Sequence, residues 1–253
     1  MDINKLVIGV SPTNKLYLDD PYLRASKARV LISKREKKNV YIVLDRSIYH
    51  PKGGGQPTDL GYFKGDDFNI SLKKVMEVKG VLVHFGKLDG RLPLPGEEID
   101  CVLDWERRYL TMRLHTAGHV LDYALKEVYG KVVDTLEALH GPPVAFTEYK
   151  GELPNTKQIE VIQKRANEIV EDKRGVKFVY VTADELLTSV KDAPNIDRLP
   201  KAERYRLVVI EGVNAIPCMG THVKNTIEIG PIDVRKVEKT ERGFKLYYAV
   251  KEF

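Results

Sequence analysis

The chain has 253 residues, of which 43% are hydrophobic and 30% charged, which is ordinary for a soluble protein with a core of its own. Its net charge of +5 permits a polyanionic partner without requiring one. It has two cysteines, no apolar run approaching ~18 residues and no apolar signal-peptide segment at the N-terminus. We therefore exclude a disulfide scaffold and a membrane-spanning helix, and we expect a cytoplasmic protein.

The first hundred residues predict a series of short strands. Apolar or β-branched segments lie at 29–33, 40–45, 68–75, 80–85 and 98–103. Polar turns and residues such as glycine and proline separate them. Short strands with this punctuation indicate a small barrel or a sandwich.

From Asp104 onward the hydrophobic residues recur with a helical period. Asp104 is expected to cap a helix over Trp105–Tyr129, which Gly130 ends. The apolar positions within it form a stripe at 3.6-residue spacing. A second helix is predicted over residues 156–174, ended by Gly175.

The remaining sequence alternates between strands and one short helix. Strands are predicted at 177–181, 206–210, 226–237 and 244–250. Thr182 and Glu185 have the spacing of a capping box and predict a short helix to about residue 190. Helices followed by antiparallel strands indicate an α+β domain. We therefore predict two domains, residues 1–104 and 105–253.

Two pairs of metal-binding side chains stand out in the second domain. His115 and His119 are four residues apart in the predicted first helix, and Cys218 and His222 are four residues apart in a predicted loop. Residues at i and i+4 of a helix project from one face. Imidazole and thiolate are preferred zinc ligands, so the four side chains together predict one shared zinc site.

Each pair also has an ordinary explanation. Two histidines on a helix are common, and Cys218 with His222 is consistent with a buried thiol beside a surface imidazole. Thr116 follows the first histidine where zincins have their catalytic glutamate, so the pattern is not theirs. If the site is catalytic, one ligand should be loosely held, and His222 is our choice.

A glycine-rich segment, Gly53–Gln56, lies in the first domain. Three glycines let a backbone approach a ligand closely, although a strained loop between strands would use the same residues. No Gly-Lys-Ser/Thr follows, so this is not a Walker loop and no nucleotide is implied. His50, just before the segment, is expected to lie at the surface.

Three segments in this order resemble the alanyl-tRNA editing family, which includes the editing domain of alanyl-tRNA synthetase and the free-standing AlaX proteins. Residues 51–61 resemble its Gly-Gly-Gly-Gln segment, residues 113–121 its His-Thr-Ala-x-His-Leu-Leu segment, and residues 218–223 its Cys-Gly-Gly-Thr-His segment. The resemblance covers most of the chain. In its motifs the chain is similar to the medium-length AlaX type. It implies a translation-factor-like β-barrel followed by an α+β domain shared with threonyl-tRNA synthetase, and zinc at His115, His119, Cys218 and His222.

The resemblance also implies an activity, the hydrolysis in trans of tRNA(Ala) that carries serine, or glycine, in place of alanine. The family often has Thr before the second histidine and Gln-Lys-Gly-Ser after the helix, whereas this chain has Gly118 and residues 134–137 there. Groups that read the serine hydroxyl are therefore expected to differ. The expected substrate-binding residues are Gly53, Gly54, Gly55, Gln56, Thr116, Thr135 and Thr221. No general base is assigned, and a ribose hydroxyl could serve.

Two other functions are compatible with these residues. One is a non-catalytic, zinc-containing module that binds tRNA. The other is a metal-dependent hydrolase of a different ester or amide. Either a monomer or a homodimer is compatible with the sequence, and no membrane partner is expected.

Overall fold

The computed structural model describes residues 1–251. Its helices are α1 (Ile3–Leu6), α2 (Trp105–Tyr129), α3 (Thr156–Glu171) and α4 (Leu186–Ser189). Its strands are β1 (Asn14–Lys15), β2 (Ala25–Glu36), β3 (Asn39–Leu44), β4 (Arg46–Ser47), β5 (Gly61–Gly65), β6 (Phe68–Val78), β7 (Val81–Gly90), β8 (Glu98–Leu103), β9 (Thr135–Leu139), β10 (Ala145–Lys150), β11 (Val176–Thr182), β12 (Arg204–Ile210), β13 (Asn214–Pro217), β14 (Ile232–Lys239) and β15 (Gly243–Val250). Within residues 1–251, no helix has the length and apolar character needed to cross a membrane.

The described residues form two compact units. The first unit comprises residues 1–53 and 57–109, and the second comprises residues 54–56 together with the described residues from 110 onward. Most of the glycine-rich segment is thus part of the second unit, although it lies among the first unit's residues in the sequence.

A closed barrel of six antiparallel strands forms the first unit, in the order β2-β3-β7-β6-β5-β8. Buried residues alternate along β6, as expected for a strand with one face toward a core. The interior also holds His84, whose ring nitrogens contact the Ser47 hydroxyl at 2.9 Å and the Ile42 carbonyl at 3.2 Å. Burial lowers the pKa of His84 to about 4.

A buried ion pair joins the barrel to the start of α2. The Arg108 guanidinium donates to both carboxylate oxygens of Asp59 and to the carbonyls of Pro21 and Ile48. Both side chains of the pair are almost fully buried. The buried guanidinium thus has a carboxylate and two carbonyl groups as hydrogen-bond partners, all of them within the first unit.

The second unit contains two antiparallel sheets. One has the strand order β14-β15-β10-β9 and the other the order β11-β12-β13. Helix α2 contacts the first sheet, since the Tyr149 hydroxyl donates to Asp122 at 2.7 Å and the Tyr248 hydroxyl donates to the Leu114 carbonyl at 3.1 Å. The predicted fold class, a small β-barrel followed by an α+β unit, is confirmed.

Helix α2 has the predicted bounds, and the Asp104 carboxylate accepts from the Arg107 backbone N–H at 3.1 Å. Residues 111–121 are buried on every side of the helix, not only along the predicted stripe. The extra buried face carries histidine and threonine, which a hydrophobic pattern does not count.

Several local predictions are wrong. Helix α3 ends at Glu171 and not at residue 174, and Lys173 takes the left-handed conformation expected of Gly175. Residues 226–229 form a 3-10 turn within the predicted strand, and β5, β9, β10 and β13 were not predicted. His50 is 4% exposed and packs against Tyr17, so it does not lie at the surface.

Candidate metal centre

Helix α2 supplies two of the four predicted ligands. His115 and His119 lie on one face of the buried middle of this helix, with their ring centroids 5.3 Å apart. The Asn214 side chain donates to the His119 backbone carbonyl at 2.8 Å. The helical spacing thus brings two imidazoles together, as the sequence predicts.

The loop that follows β13 supplies the other two ligands. The Cys218 backbone N–H donates to the Arg206 carbonyl at 3.0 Å. In return, the Arg206 guanidinium donates to the carbonyls of Cys218 at 2.8 Å and Gly220 at 3.1 Å. An additional Cβ at Gly220 would overlap the His115 ring and lie 2.8 Å from the Gln56 Oε1 atom. Only glycine therefore allows this loop to approach α2 so closely.

The structure brings all four predicted ligands together. One donor atom from each of His115, His119, Cys218 and His222 lies within 4.8 Å of every other. The Cys218 sulfur is 3.5 Å from the His115 Nε2 atom and 3.4 Å from the His222 Nε2 atom. Tetrahedral zinc with bonds of roughly 2.0–2.3 Å separates its donors by roughly 3.3–3.8 Å. The distances to sulfur fit such an ion without rearrangement.

Neighbouring side chains hold two of the imidazoles in the tautomer that a metal needs. The His115 Nδ1 atom lies 3.0 Å from the Gln56 Oε1 atom, which can only accept a hydrogen bond. The Thr116 hydroxyl donates to the Met112 carbonyl at 2.8 Å, so it accepts from the His222 Nδ1 atom at 3.2 Å. Both rings therefore carry the proton on Nδ1 and present the bare Nε2 atom toward the sulfur.

Gln56 also fixes the loop that carries Cys218 and His222. Its Oε1 atom accepts from the Thr221 backbone N–H at 2.9 Å, and its side-chain amide donates to the Thr221 hydroxyl at 2.9 Å. Gln56 is 1% exposed, so these hydrogen bonds are shielded from water. Gln56, which the sequence predicts to bind substrate, thus contacts a predicted metal ligand and the loop that carries two others.

Burial shifts the pKa values of two of the predicted ligands. Burial lowers the pKa of His119 to about 3, and burial raises the pKa of Cys218, which hydrogen bonding from Gly220 and the Arg206 charge partly oppose. The Nδ1 atom of His119 is buried and has no hydrogen-bond partner among residues 1–251. A bound cation would favour the thiolate, as metals do for coordinating thiols. The residues present therefore fit a metal ion such as zinc.

A fifth side chain in the cluster, His140, was not predicted. Its ring stacks on the His115 ring at 4.6 Å with an interplanar angle of 11°, and burial lowers its pKa to about 4. Its Nδ1 atom lies 2.6 Å from the Tyr248 hydroxyl. The sequence signal was weak, because His140 stands alone before Gly-Pro-Pro, without a partner at ligand spacing.

One carboxyl group lies further along the ligand-bearing face of α2. At about 100° per residue, positions 115, 119 and 122 fall within about 60° of one another. Burial raises the pKa of Asp122 to about 7, although the hydrogen bond from Tyr149 opposes the shift. A cation held at the neighbouring ligands would favour the ionised carboxylate.

The remaining predicted substrate-binding residues differ in their placement. Gly53 belongs to the first unit, and Gly54 and Gly55 belong to the second, both with positive φ. Thr116 and Thr221 are fully buried beside the ligands. The Thr135 hydroxyl, in β9, accepts from the Asn195 side chain at 2.5 Å.

Two family profiles match the chain. One describes class II (A) tRNA synthetases and matches residues 23–107. The other describes the second additional domain of threonyl and alanyl tRNA synthetases and matches residues 205–244. The second match includes the loop that holds Cys218 and His222.

Three relatives each align with about nine-tenths of the chain. The alanyl-tRNA editing protein AlaX-L of Pyrococcus horikoshii is 38% identical over 231 residues, which cover 90% of this chain and 55% of AlaX-L. The alanine–tRNA ligase of Staphylothermus marinus is 34% identical over 92% of this chain and 25% of the ligase. The alanine–tRNA ligase of Thermoplasma acidophilum is 34% identical over 91% of this chain and 26% of the ligase. The chain thus spans about half the length of AlaX-L and about a quarter of the ligases. Over nine-tenths of its length the chain is thus similar to an alanyl-tRNA editing protein and to alanine–tRNA ligases, in agreement with the resemblance of its three motifs.

Proposed function

We propose that the chain removes a wrong amino acid from tRNA(Ala), with serine as the principal amino acid and glycine as a second one. The observation that carries the proposal is the convergence of His115, His119, Cys218 and His222 within 4.8 Å. The similarity to an alanyl-tRNA editing protein supports the substrate class. We assign this activity to residues 105–253, together with the glycine-rich segment.

The proposed cofactor is zinc. When bound, zinc would polarise the ester carbonyl or lower the pKa of a water molecule. The chain's own residues prepare the site: Gln56 and Thr116 keep the Nε2 atoms of two imidazoles free of protons. His222 remains our choice for the loosely held ligand.

The glycine-rich segment is the proposed place for the ribose end of the substrate. Gly54 and Gly55 have φ angles of 56° and 77°, which glycine adopts without a steric penalty. The Gly55 carbonyl accepts from the His140 backbone N–H at 2.8 Å, which ties the segment to the second unit. Backbone N–H groups in such a segment could stabilise negative charge on the ester oxygen.

Hydrolysis adds water across the ester bond: the acyl–oxygen bond breaks, one proton of the water ends on the ribose oxygen, and the amino acid leaves as a carboxylate with the release of the other proton. We propose that a neighbouring ribose hydroxyl, and not a protein side chain, assists this proton transfer. The cellular setting that we propose is the cytoplasm, because Cys101 and Cys218 are both free of disulfides.

The test is a deacylation assay with Ser-tRNA(Ala), Gly-tRNA(Ala) and Ala-tRNA(Ala), before and after chelation and zinc restoration. We expect rapid loss of serine, slow loss of alanine and a chelation effect that zinc reverses. Cys218→Ala should lower both the zinc content and the rate. Cys101→Ala is the matched control, because Cys101 lies inside the barrel of the first unit.

Other results would select another function. Binding of tRNA without hydrolysis of any ester would support the non-catalytic module. Hydrolysis of small esters without hydrolysis of aminoacyl-tRNA would support a different hydrolase. An undiminished rate in zinc-free protein would refute the proposed role of the metal.

A further inference from the structure

The hydrogen bonds around His140 determine which of its nitrogens carries the proton. The Tyr248 hydroxyl donates its proton to the Leu114 carbonyl at 3.1 Å. The same hydroxyl lies 2.6 Å from the His140 Nδ1 atom and has no second proton to give. With the Tyr248 proton assigned to the Leu114 carbonyl, the His140 Nδ1 atom is the donor of this pair. A neutral ring that is protonated on Nδ1 has a bare Nε2 atom, which can only accept a hydrogen bond.

The ring is held in one place by its neighbours. It stacks on His115 from one side. An added Cβ at Gly118 would lie 2.6 Å from its Cε1 atom, and one at Gly55 would lie 2.9 Å from its Cδ2 atom. The two glycines thus form a slot that fits the imidazole. The absence of a side chain at Gly118 leaves the room that His140 occupies.

The edge of the His140 ring formed by its Cδ2 and Nε2 atoms faces Gly55. An added Cβ at Gly55 would be 3.2 Å from the Nε2 atom. The structure gives this nitrogen no hydrogen bond to any of residues 1–251. The atom is therefore an uncommitted acceptor beside the metal ligands, at the glycine-rich segment where the substrate is proposed to bind.

The other polar groups around the ligands are committed. Thr116 donates to Met112 and accepts from His222, and Thr221 accepts from Gln56. Both threonines are 0% exposed, which leaves no solvent-facing hydroxyl there to meet a substrate. Apart from His119, a predicted metal ligand whose Nδ1 atom also lacks a partner, His140 is the histidine of this cluster with a ring nitrogen that makes no hydrogen bond among residues 1–251.

Serine differs from alanine by one hydroxyl group, which is a hydrogen-bond donor. We propose that the His140 Nε2 atom accepts a hydrogen bond from the side-chain hydroxyl of the seryl ester and is a specificity-determining residue of the editing site. This inference rests on the proposed function. An alanyl ester would leave this nitrogen of a largely buried histidine without a partner, and sites that require a substrate hydroxyl reject analogues without it. A glycyl ester also lacks the hydroxyl, so its hydrolysis would not gain from His140.

The first experiment compares specificity among variants. His140→Phe removes the acceptor and keeps a planar ring, whereas His140→Gln keeps an oxygen or nitrogen near the Nε2 position. We expect His140→Phe to lower the ratio of kcat/KM for Ser-tRNA(Ala) to that for Gly-tRNA(Ala) by about 10- to 100-fold, as for other lost buried acceptors. His140→Gln should restore part of this ratio. Zinc content and circular dichroism show whether each variant is folded and loaded.

A purely structural role would lower both rates together and leave the ratio unchanged, and this result would overturn the proposal. Equal ratios in His140→Gln and His140→Phe would also count against it. Tyr248→Phe removes the acceptor that fixes the tautomer, so it should lower the ratio less than His140→Phe does. If Tyr248→Phe lowered the ratio more than His140→Phe does, the inferred role of the His140 Nε2 atom would be contradicted.

The second experiment does not depend on turnover. In protein labelled with ¹⁵N-histidine, long-range proton–nitrogen correlation spectra show which nitrogen of His140 is protonated. We expect a protonated Nδ1 atom and a bare Nε2 atom whose resonance shifts with a non-hydrolysable seryl-amide of adenosine and not with the alanyl-amide. A protonated Nε2 atom, or equal shifts with both amides, would refute the proposal. Failure of the wild-type protein to deacylate any tRNA would instead refute the proposed function.

Discussion

Gly118→Ala in α2 is expected to have two opposing effects on the free energy of unfolding. Alanine is favoured over glycine inside a helix by about 1 kcal/mol. Here, however, the new Cβ would lie 2.6 Å and 2.7 Å from the Cε1 and Nδ1 atoms of His140, and 3.0 Å from the Tyr248 hydroxyl. Non-bonded carbon atoms prefer roughly 3.5–4.0 Å, so the ring would have to move by about 1 Å.

The steric cost should exceed the gain in helix propensity. Overpacking of a core costs about 1–3 kcal/mol, and loss of the hydrogen bond between His140 and Tyr248 adds about 0.5–1.5 kcal/mol. After the gain of about 1 kcal/mol from helix propensity, Gly118→Ala should lower the free energy of unfolding by about 1–3 kcal/mol.

The decisive control removes the obstructing ring. In a His140→Ala background the slot is empty, so Gly118→Ala should be neutral or stabilising by up to about 1 kcal/mol. Urea unfolding followed by far-UV circular dichroism measures all four proteins, at one zinc concentration and again with chelator, because bound metal adds its own stabilisation. If Gly118→Ala destabilises both backgrounds equally, the clash with His140 is not the cause.

Three further predictions test other parts of the structure. Gln56→Ala removes the acceptor that orients a ligand imidazole, so zinc affinity should fall about 10- to 100-fold in a competition titration with a chromophoric chelator. His84→Gln should abolish a loss of stability of about 1.4 kcal/mol per pH unit as pH falls from the histidine's unfolded-state pKa of about 6.5 to about 4, because buried His84 stays neutral while the unfolded chain takes up a proton. Unfolding curves across this range measure the slope, and an unchanged slope would contradict the assignment. Arg108→Met leaves Asp59 buried without its cation and should cost about 3–5 kcal/mol in urea unfolding, whereas Arg108→Met with Asp59→Asn should recover part of the loss.

Local signals predicted an element well where its ends are set by neighbouring residues. Helix α2 begins and ends as expected, because Asp104 caps its first turn and Gly130 takes a positive φ just after it. At the end of α3 the same reasoning was wrong, since Lys173 takes the left-handed conformation two residues before the glycine. A lysine at such a position gives no sequence signal.

The segment 226–237 shows how a side chain can override a strand pattern. The Asn225 side chain accepts from the Ile227 backbone N–H at 3.0 Å, and the Glu228 carboxylate accepts from the Asn225 backbone N–H at 3.0 Å. These hydrogen bonds stabilise a 3-10 turn before β14 begins at Ile232. The hydrophobic pattern reflects the β-branched residues, but it carries no information on the side-chain hydrogen bonds of Asn225 and Glu228 that stabilise the turn.

The sequence by itself determined the kinds of ligand and their pairing, because spacing along one helix or one loop limits which side chains can share an ion. The convergence of the two pairs depends on long-range packing, which brings the loop after β13 against α2 and is set by contacts between residues about a hundred positions apart. Only the tertiary structure placed Gln56 against His115 and His140 against Tyr248. Hydrogen-bond direction depends on which groups meet in space, and no pattern along the chain records it.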